Sequence, residues 1–179
     1  CSTDDTVKNI VEYVNTLPEQ IKAKITLTFN EERRGALHNQ VESIRQCSDD
    51  TIIMLLDGDD SLVNDNNIFN FYNTLYHDRT EFTYGSCYSL ADNINLIAQT
   101  YPETVKQTRS YRQHKFNWNV PYTHLRTFRK QLINNVLDTE FQNENGWFRA
   151  GGDVALFYSV VERADPAQVK AVQEVVVNY

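Results

Sequence analysis

The sequence predicts an α/β fold, a three-layer Rossmann-like sandwich around a mostly parallel central sheet. Three observations carry this. Amphipathic helical segments alternate with β-branched and apolar ones from the first residues onward. The run Thr51 to Leu56 is β-branched and apolar throughout, which suits a central strand buried on both faces. It stops abruptly at Asp57-Gly58-Asp59-Asp60, and ligands of open α/β sheets bind beyond the carboxyl ends of strands.

Taken in order, Ser2 and Asp5 stand in a capping-box-like arrangement ahead of Val7, Ile10, Val11 and Val14, whose spacing marks one helical face. Leu17-Pro18 ends that helix. Ile21 to Phe29 reads as a strand with Ile25, Leu27 and Phe29 on one side. After Gly35, Leu37, Val41 and Ile44 predict a helix, and Ile68, Phe71, Tyr72 and Leu75 predict another beyond the aspartates. Glu81 to Leu90 reads as a strand. Regularity fails from Ala91 to Thr123, and segments of that length are usually functional or mobile. Helices are expected from about His124 to Val136 and from Asp153 to Arg163, with a final strand at Val172 to Val177. No internal repeat or low-complexity tract is present, so residues 1–179 read as a single domain.

Composition narrows the function. With 41% hydrophobic and 23% charged residues, the chain has the balance of a soluble globular protein. A formal charge of -7 argues against a dedicated nucleic-acid binder. No apolar run approaches the roughly 20 residues of a transmembrane helix, and the polar, acidic start does not read as a signal peptide. Cys1, Cys47 and Cys87 are widely spaced and form no CxxC pair, so separate thiols in a reducing, cytoplasmic setting are expected.

Chemistry concentrates at the aspartates. Alternate carboxylates in a turn can surround one hard cation, Mn²⁺ or Mg²⁺, together with phosphate oxygens. Gly58 would let a ligand approach the backbone. The structural alternative is an acidic turn in which Asp60 or Ser61 caps the following helix.

Several segments together resemble the family 2 glycosyltransferases of the GT-A fold. Ser2-Thr3-Asp4-Asp5-Thr6 is similar to the family's D-x-S-x-D-x-T. Asn30-Glu31-Glu32-Arg33-Arg34-Gly35-Ala36-Leu37-His38-Asn39 resembles N-x-x-R-x-G-A-x-x-N, and Leu56 to Leu62 resembles L-D-x-D-D-x-L. Thr83-Tyr84-Gly85, His124 to Phe128 and Gly152 to Leu156 follow in the family's order. The family opens with a strand and loop that hold the nucleotide base, and Cys1 corresponds to the end of its second strand.

The resemblance implies a metal-dependent transfer of sugar from a nucleotide-sugar, a UDP-sugar in the first instance, to a glycan, protein or small-molecule acceptor, with inversion. It implies metal ligation by Asp59, with Asp57 on ribose or metal. It puts Arg33, Arg34, Gly35, Asn39, Asp57, Gly58, Tyr84, His124 and Arg126 on the donor side. Arginine suits phosphate because its fork donates bidentately. Asp153, after Gly151-Gly152, is the candidate general base, against the alternative that it caps the helix from Val154 to Arg163. His124 and Arg126 could close over the diphosphate. Lys106, Arg109, Arg112, His114 and Lys115 could form a lid ordered by the anionic donor, and Trp118, Tyr122 and Trp147 could stack on sugar or anchor the chain. The rival readings are a non-catalytic nucleotide- or glycan-binding module on the same fold and a nucleotidyltransferase. The latter would want a Gly-rich phosphate loop near its start, which this sequence lacks.

Overall fold

The computed structural model describes residues 3–63, 67–116 and 124–179, so Cys1, Ser2, Trp118 and Tyr122 lie outside the described residues. The chain divides into two compact units, Cys1–Gly35 and Ala36–Tyr179.

The first unit contains helix α1 (Thr6–Thr16) and the single-turn helix α2 (Glu19–Lys22). No residue of α1 is fully buried. The strand expected over Ile21 to Phe29 does not form: α2 takes its start, and Ile25 to Asn30 has no regular structure. Leu27 and Phe29 are exposed. Alternation fits a strand only where a neighbouring strand takes up the backbone hydrogen bonds, and no strand pairs with this segment among the described residues.

The second unit is α/β with a mixed sheet. Its elements are α3 (Ala36–Arg45), β1 (Ile52–Leu55), β2 (Ser61–Leu62), α4 (Ile68–His77), β3 (Phe82–Ser89), β4 (Ile94–Leu96), α5 (Glu103–Thr108), β5 (Arg126–Arg129), the hairpin β6 (Gln142–Asn143) and β7 (Gly146–Trp147), α6 (Gly152–Val161) and β8 (Val169–Asn178). The strand order is β1-β5-β3-β8-β2, with β4 also paired to β3. Only β3 and β8 run parallel; the other pairs are antiparallel. The expected mostly parallel sheet is therefore corrected to a mixed one. Two of the sheet's four antiparallel pairs are made by β5, which lies where the sequence predicts a helix from His124 to Val136. Leu125, Phe128, Leu132 and Val136 have helical spacing, yet the chain extends through Arg129 and then makes a 3-10 turn, Lys130–Ile133.

Strand alternation builds three layers. Ile53, Phe82, Tyr84 and Phe128 face the core formed with Leu37, Val41 and Ile44 of α3 and Leu156, Phe157 and Val160 of α6. Ile52, Met54, Leu125, Val172 and Val176 face Ile68, Tyr72 and Tyr76 of α4. Thr127 and Thr83, two polar residues on the α4 face, bond to each other at 2.6 Å, and Thr127 also bonds to Tyr76 Oη at 2.8 Å. β1 is packed on both faces as expected, but it stands at the end of the described sheet and not at its centre. An apolar run reports covered faces, not how many strands flank it.

Within the expected irregular segment Ala91 to Thr123, the described residues, Ala91 to Phe116, are less irregular than their sequence suggests. It contains β4 and α5, and Tyr111 is fully buried. The basic run is tied down: Lys106 pairs with Glu103 at 2.8 Å, Arg112 forks onto the Glu162 carboxylate at 2.7 and 3.0 Å, and Arg109 donates to the Glu162 carbonyl. Cys47 and Cys87 are both free thiols.

Candidate functional site

β1 and β5 are antiparallel with Leu55 opposite Arg126, so β5 begins where β1 ends. β3 is antiparallel to β5 and parallel to β8, which brings the carboxyl end of β8 to the same edge. Three distant segments thus converge: the turn Asp57 to Asp60 after β1, His124 before β5, and Tyr179 after β8.

The turn is closed by the Asp60 amide donating to the Asp57 carbonyl at 3.2 Å and runs directly into β2, which pairs with the end of β8. This corrects the helix-capping alternative, since α4 begins only at Ile68. One ligand atom each from Asp57, Asp60 and His124 lie within 4.8 Å of one another, the one such grouping found among the described residues. Asp59 belongs to the same turn and is exposed. Among the described residues nothing lies within 4 Å of where a Cβ on Gly58 would sit.

Burial sets the electrostatics. The Asp60 side chain is 3% exposed and that of His124 7%. Burial, then the neighbouring Asp57 and Asp59, push the Asp60 carboxyl up, opposed by Arg126. Burial and Arg126 push the His124 imidazole down to about 4. His124 Nδ1 stands 3.3 Å from Asp60 Oδ2. The distance alone would fit an ion pair, but burial holds the imidazole's pKa low, and the contact falls short of an aligned hydrogen bond: Asp60 Oδ2 has no hydrogen-bond partner among the described residues. An unpartnered buried carboxylate oxygen beside a second carboxylate is a suitable donor set for a hard divalent cation.

Arg126 lies beneath this turn, its side chain 8% exposed. One terminal nitrogen meets His124 Nε2 at 3.2 Å, and the other meets Asp153 Oδ2 at 3.5 Å. The guanidinium stacks 4.8 Å above the Phe157 ring, one turn further along α6. Asp153 stands in the first turn of α6, where the helix dipole favours a carboxylate. Gly151, with φ 65°, precedes the helix in the capping position, so Asp153 is not its cap. The Asp153 side chain is 46% exposed, open to a ligand.

Two glycines set these approaches. A Cβ on Gly85 of β3 would lie 2.6 Å from Leu125 N and 2.8 Å from His124 O, so glycine lets the backbone carrying His124 cross β3. A Cβ on Gly152 would lie 2.8 Å from Leu37 Cβ, so glycine lets α6 seat Asp153 close against α3.

The other residues expected at the site are distributed differently. Tyr84 is 1% exposed; its hydroxyl donates to Gln99 O at 2.7 Å and accepts from Tyr101 N at 3.1 Å. It serves the core, and Gly85 beside it explains why that motif matters to the site. Asn39 lies on the exposed side of α3, whereas Arg33, Arg34 and Gly35 belong to the first unit, with Gly35 at φ 90°. Trp147 packs edge-on to His38 at 4.8 Å and stacks on Phe141 at 5.8 Å, so it anchors the β6–β7 hairpin. Tyr179 went unnoticed in the sequence: its ring stacks on His124 at 4.8 Å with an interplanar angle of 22°. No local signal marks it, because the pairing spans 55 positions of chain.

Neither the curated proteins nor the solved structures give a match to this chain. Residues 1–137 match the sequence pattern of Glycosyl transferase family 2, a span that holds the acidic turn, His124 and Arg126 and stops short of Asp153. An acidic turn at a strand's carboxyl end, joined through His124 and Arg126 to a carboxylate at a helix start, sits on a chain that belongs to the family 2 glycosyltransferases.

Proposed function

We propose that this protein transfers a sugar from a nucleotide-sugar, a UDP-sugar in the first instance, to an acceptor hydroxyl with inversion, using Mn²⁺ or Mg²⁺. The observation that carries the reading is the grouping of exposed Asp57 with Asp60 and buried His124, linked through Arg126 to the half-exposed Asp153. Asp57 and Asp60, with Asp59 in the same turn, would hold the cation. Such a cation, when bound, neutralises charge on a departing nucleoside diphosphate. Asp153 takes the proton of the acceptor hydroxyl as its oxygen bonds to the anomeric carbon and the bond from that carbon to the diphosphate breaks. The proton ends on Asp153 and the electron pair on the diphosphate, with no covalent enzyme intermediate. Arg33, Arg34, Gly35 and Asn39 are proposed to contribute to donor binding on the strength of their motif.

The test is a panel of UDP- and GDP-sugars offered with Mn²⁺, Mg²⁺ or EDTA and candidate acceptors, reading release of nucleoside diphosphate. Release from one donor that needs metal, and is lost in Asp57→Ala and Asp59→Ala, supports the reading. Asp153→Asn should bind donor normally and transfer about 10²–10⁴-fold more slowly. Metal-dependent donor binding with no transfer to any acceptor would favour the non-catalytic binding module, and undiminished transfer by Asp153→Asn would remove the assigned base.

A further inference from the structure

We infer that Arg126 is the positioning residue of the candidate base: its guanidinium holds the Asp153 carboxylate beside the acidic turn and makes no contact with the donor diphosphate. This deepens the transferase reading above and rests on it. An arginine that grips phosphate does so with the free edge of its fork. Here the fork is already engaged. One terminal nitrogen lies 3.2 Å from His124 Nε2 and the other 3.5 Å from Asp153 Oδ2. The Phe157 ring covers one face at 4.8 Å, and Nε is buried. With 8% of its side chain exposed, Arg126 presents no edge on which a diphosphate at the turn could lie.

Asp153 needs such a partner. Its side chain is 46% exposed in the first turn of α6, and Arg126 is the one cation within ion-pair reach of it among the described residues. An exposed aspartate otherwise samples several staggered rotamers, and only some of them aim the carboxylate at an incoming hydroxyl. A reacting group misplaced by about 1 Å can cost on the order of 10²-fold in rate. Arg126 is itself held on three sides, by His124, by Asp153 and by the Phe157 ring. Phe157 lies one turn on from Asp153, so the ring that sets the guanidinium plane and the carboxylate that meets its end belong to one face of α6. A lysine has neither a plane to stack nor a second nitrogen to span both partners. One planar side chain thereby fixes the base relative to the segment that carries His124 to the acidic turn.

Steady-state transfer by the whole chain, with whichever UDP- or GDP-sugar of the panel it turns over, tests this in Arg126→Lys, Asp153→Asn and the double variant. Arg126→Lys should lower kcat by about 10²-fold and leave the donor KM within about threefold of wild type, the pattern of a lost transition-state interaction. On top of Asp153→Asn the same change should lower kcat by less than about threefold, because the carboxylate it positions no longer takes a proton. Thermal unfolding checks that the variants fold. Should Arg126→Lys fail to fold, Phe157→Leu takes its place: it keeps the charge, removes the ring beneath the guanidinium, and should lower kcat about tenfold at a similar donor KM. A donor KM raised about tenfold or more with kcat retained would put Arg126 on the diphosphate and overturn the inference. A loss of kcat that repeats in full on top of Asp153→Asn would overturn it too, since Arg126 would then act by another route. In either case the transferase reading survives. Absence of transfer by the wild type from every donor would overturn that reading and the role of Arg126 with it.

Discussion

Leu55 and Arg126 face one another across the antiparallel β1–β5 pair, and this register assembles the site. The chain leaving β1 turns through Asp57 to Asp60 beside the chain entering β5 through His124. Strand alternation then aims Arg126 at the α6 face, where Phe157 and Asp153 meet it. The candidate site thus lies at the carboxyl end of β1 even though the neighbouring strand runs the other way.

Gly85→Ala tests how tightly His124 is set. The new methyl would meet backbone atoms of His124 and Leu125 at 2.6 to 3.0 Å, and backbone cannot swing aside as a flexible side chain can. The variant is expected to lose about 1–3 kcal/mol of stability. Thermal unfolding measures the stability, and Mn²⁺ titration should show weaker binding as His124 shifts away from Asp60. An unchanged melting temperature would mean that the β3–β5 approach is looser than described.

Gly152→Ala probes the other side of the site. Its methyl would lie 2.8 Å from Leu37 Cβ, an atom rigidly attached to α3 and 3.4 Å or more from the rest of that side chain. Relief requires α3 and α6 to separate, with a loss of about 1–3 kcal/mol and displacement of the adjacent Asp153. Coupling should appear in Leu37→Gly/Gly152→Ala, which removes the Leu37 Cβ: the double variant should be less destabilised than the sum of the two single changes. Additive losses would show that no clash is present.

The Tyr179 stack on His124 separates ring from hydroxyl. The phenol oxygen makes no hydrogen bond among the described residues, while the ring lies 4.8 Å from the imidazole. Tyr179→Phe should therefore be nearly neutral. Tyr179→Ala should cost about 0.5–1.5 kcal/mol beyond its lost buried area and should shift the His124 ring protons in the NMR spectrum, because the neighbouring ring current is gone. Equal behaviour of the two variants would argue against stacking.

Much of this arrangement was legible in the sequence, and the rest has identifiable causes. The acidic turn could be read because its strand and its break are adjacent in sequence. The α3 and α6 helices were equally local, with Leu37, Val41 and Ile44 carrying one and Leu156, Phe157 and Val160 the other. β5 was not legible: Leu125 and Phe128 suited a helix, and what extends the chain is a partner on each side, Met54 to Thr127 and Thr83 to Thr127. Its polar residues also misled, since Thr127 is satisfied by Tyr76, and Arg129 by the carbonyls of Tyr76 and Thr80. Tyr84 was placed with the donor because its motif was read as a unit, although only its glycine neighbour touches the backbone at the site. Capping by Asp60 or Ser61 stood as the alternative to metal binding because carboxylates and hydroxyls after a strand often begin helices. The burial of Asp60 against His124 depends on a residue 64 positions away.

Stability against pH tests whether His124 is neutral in the folded, metal-free protein. Its imidazole titrates near 4 in the fold, lowered by burial and by Arg126, against about 6.5 in the unfolded chain. Between those values the unfolded chain binds a proton that the folded chain refuses, so stability rises with pH through that window. The contribution is fully present above about 6.5, shrinks as pH falls, and is gone below about 4. A shift of this size corresponds to roughly 3 kcal/mol. Asp60 works in the opposite sense: its raised carboxyl value favours the folded chain at low pH, and that advantage is lost as pH rises above the ordinary carboxylate range. Denaturant unfolding in EDTA from pH 4 to pH 7, for wild type and His124→Asn, isolates the imidazole. The wild type should gain on the variant by roughly 3 kcal/mol from pH 4 to pH 7. A constant gap would mean that the imidazole titrates alike in the folded and unfolded chains, and a gap that narrows with rising pH would mean that it is charged in the fold, with a proton on Nε2 facing Arg126.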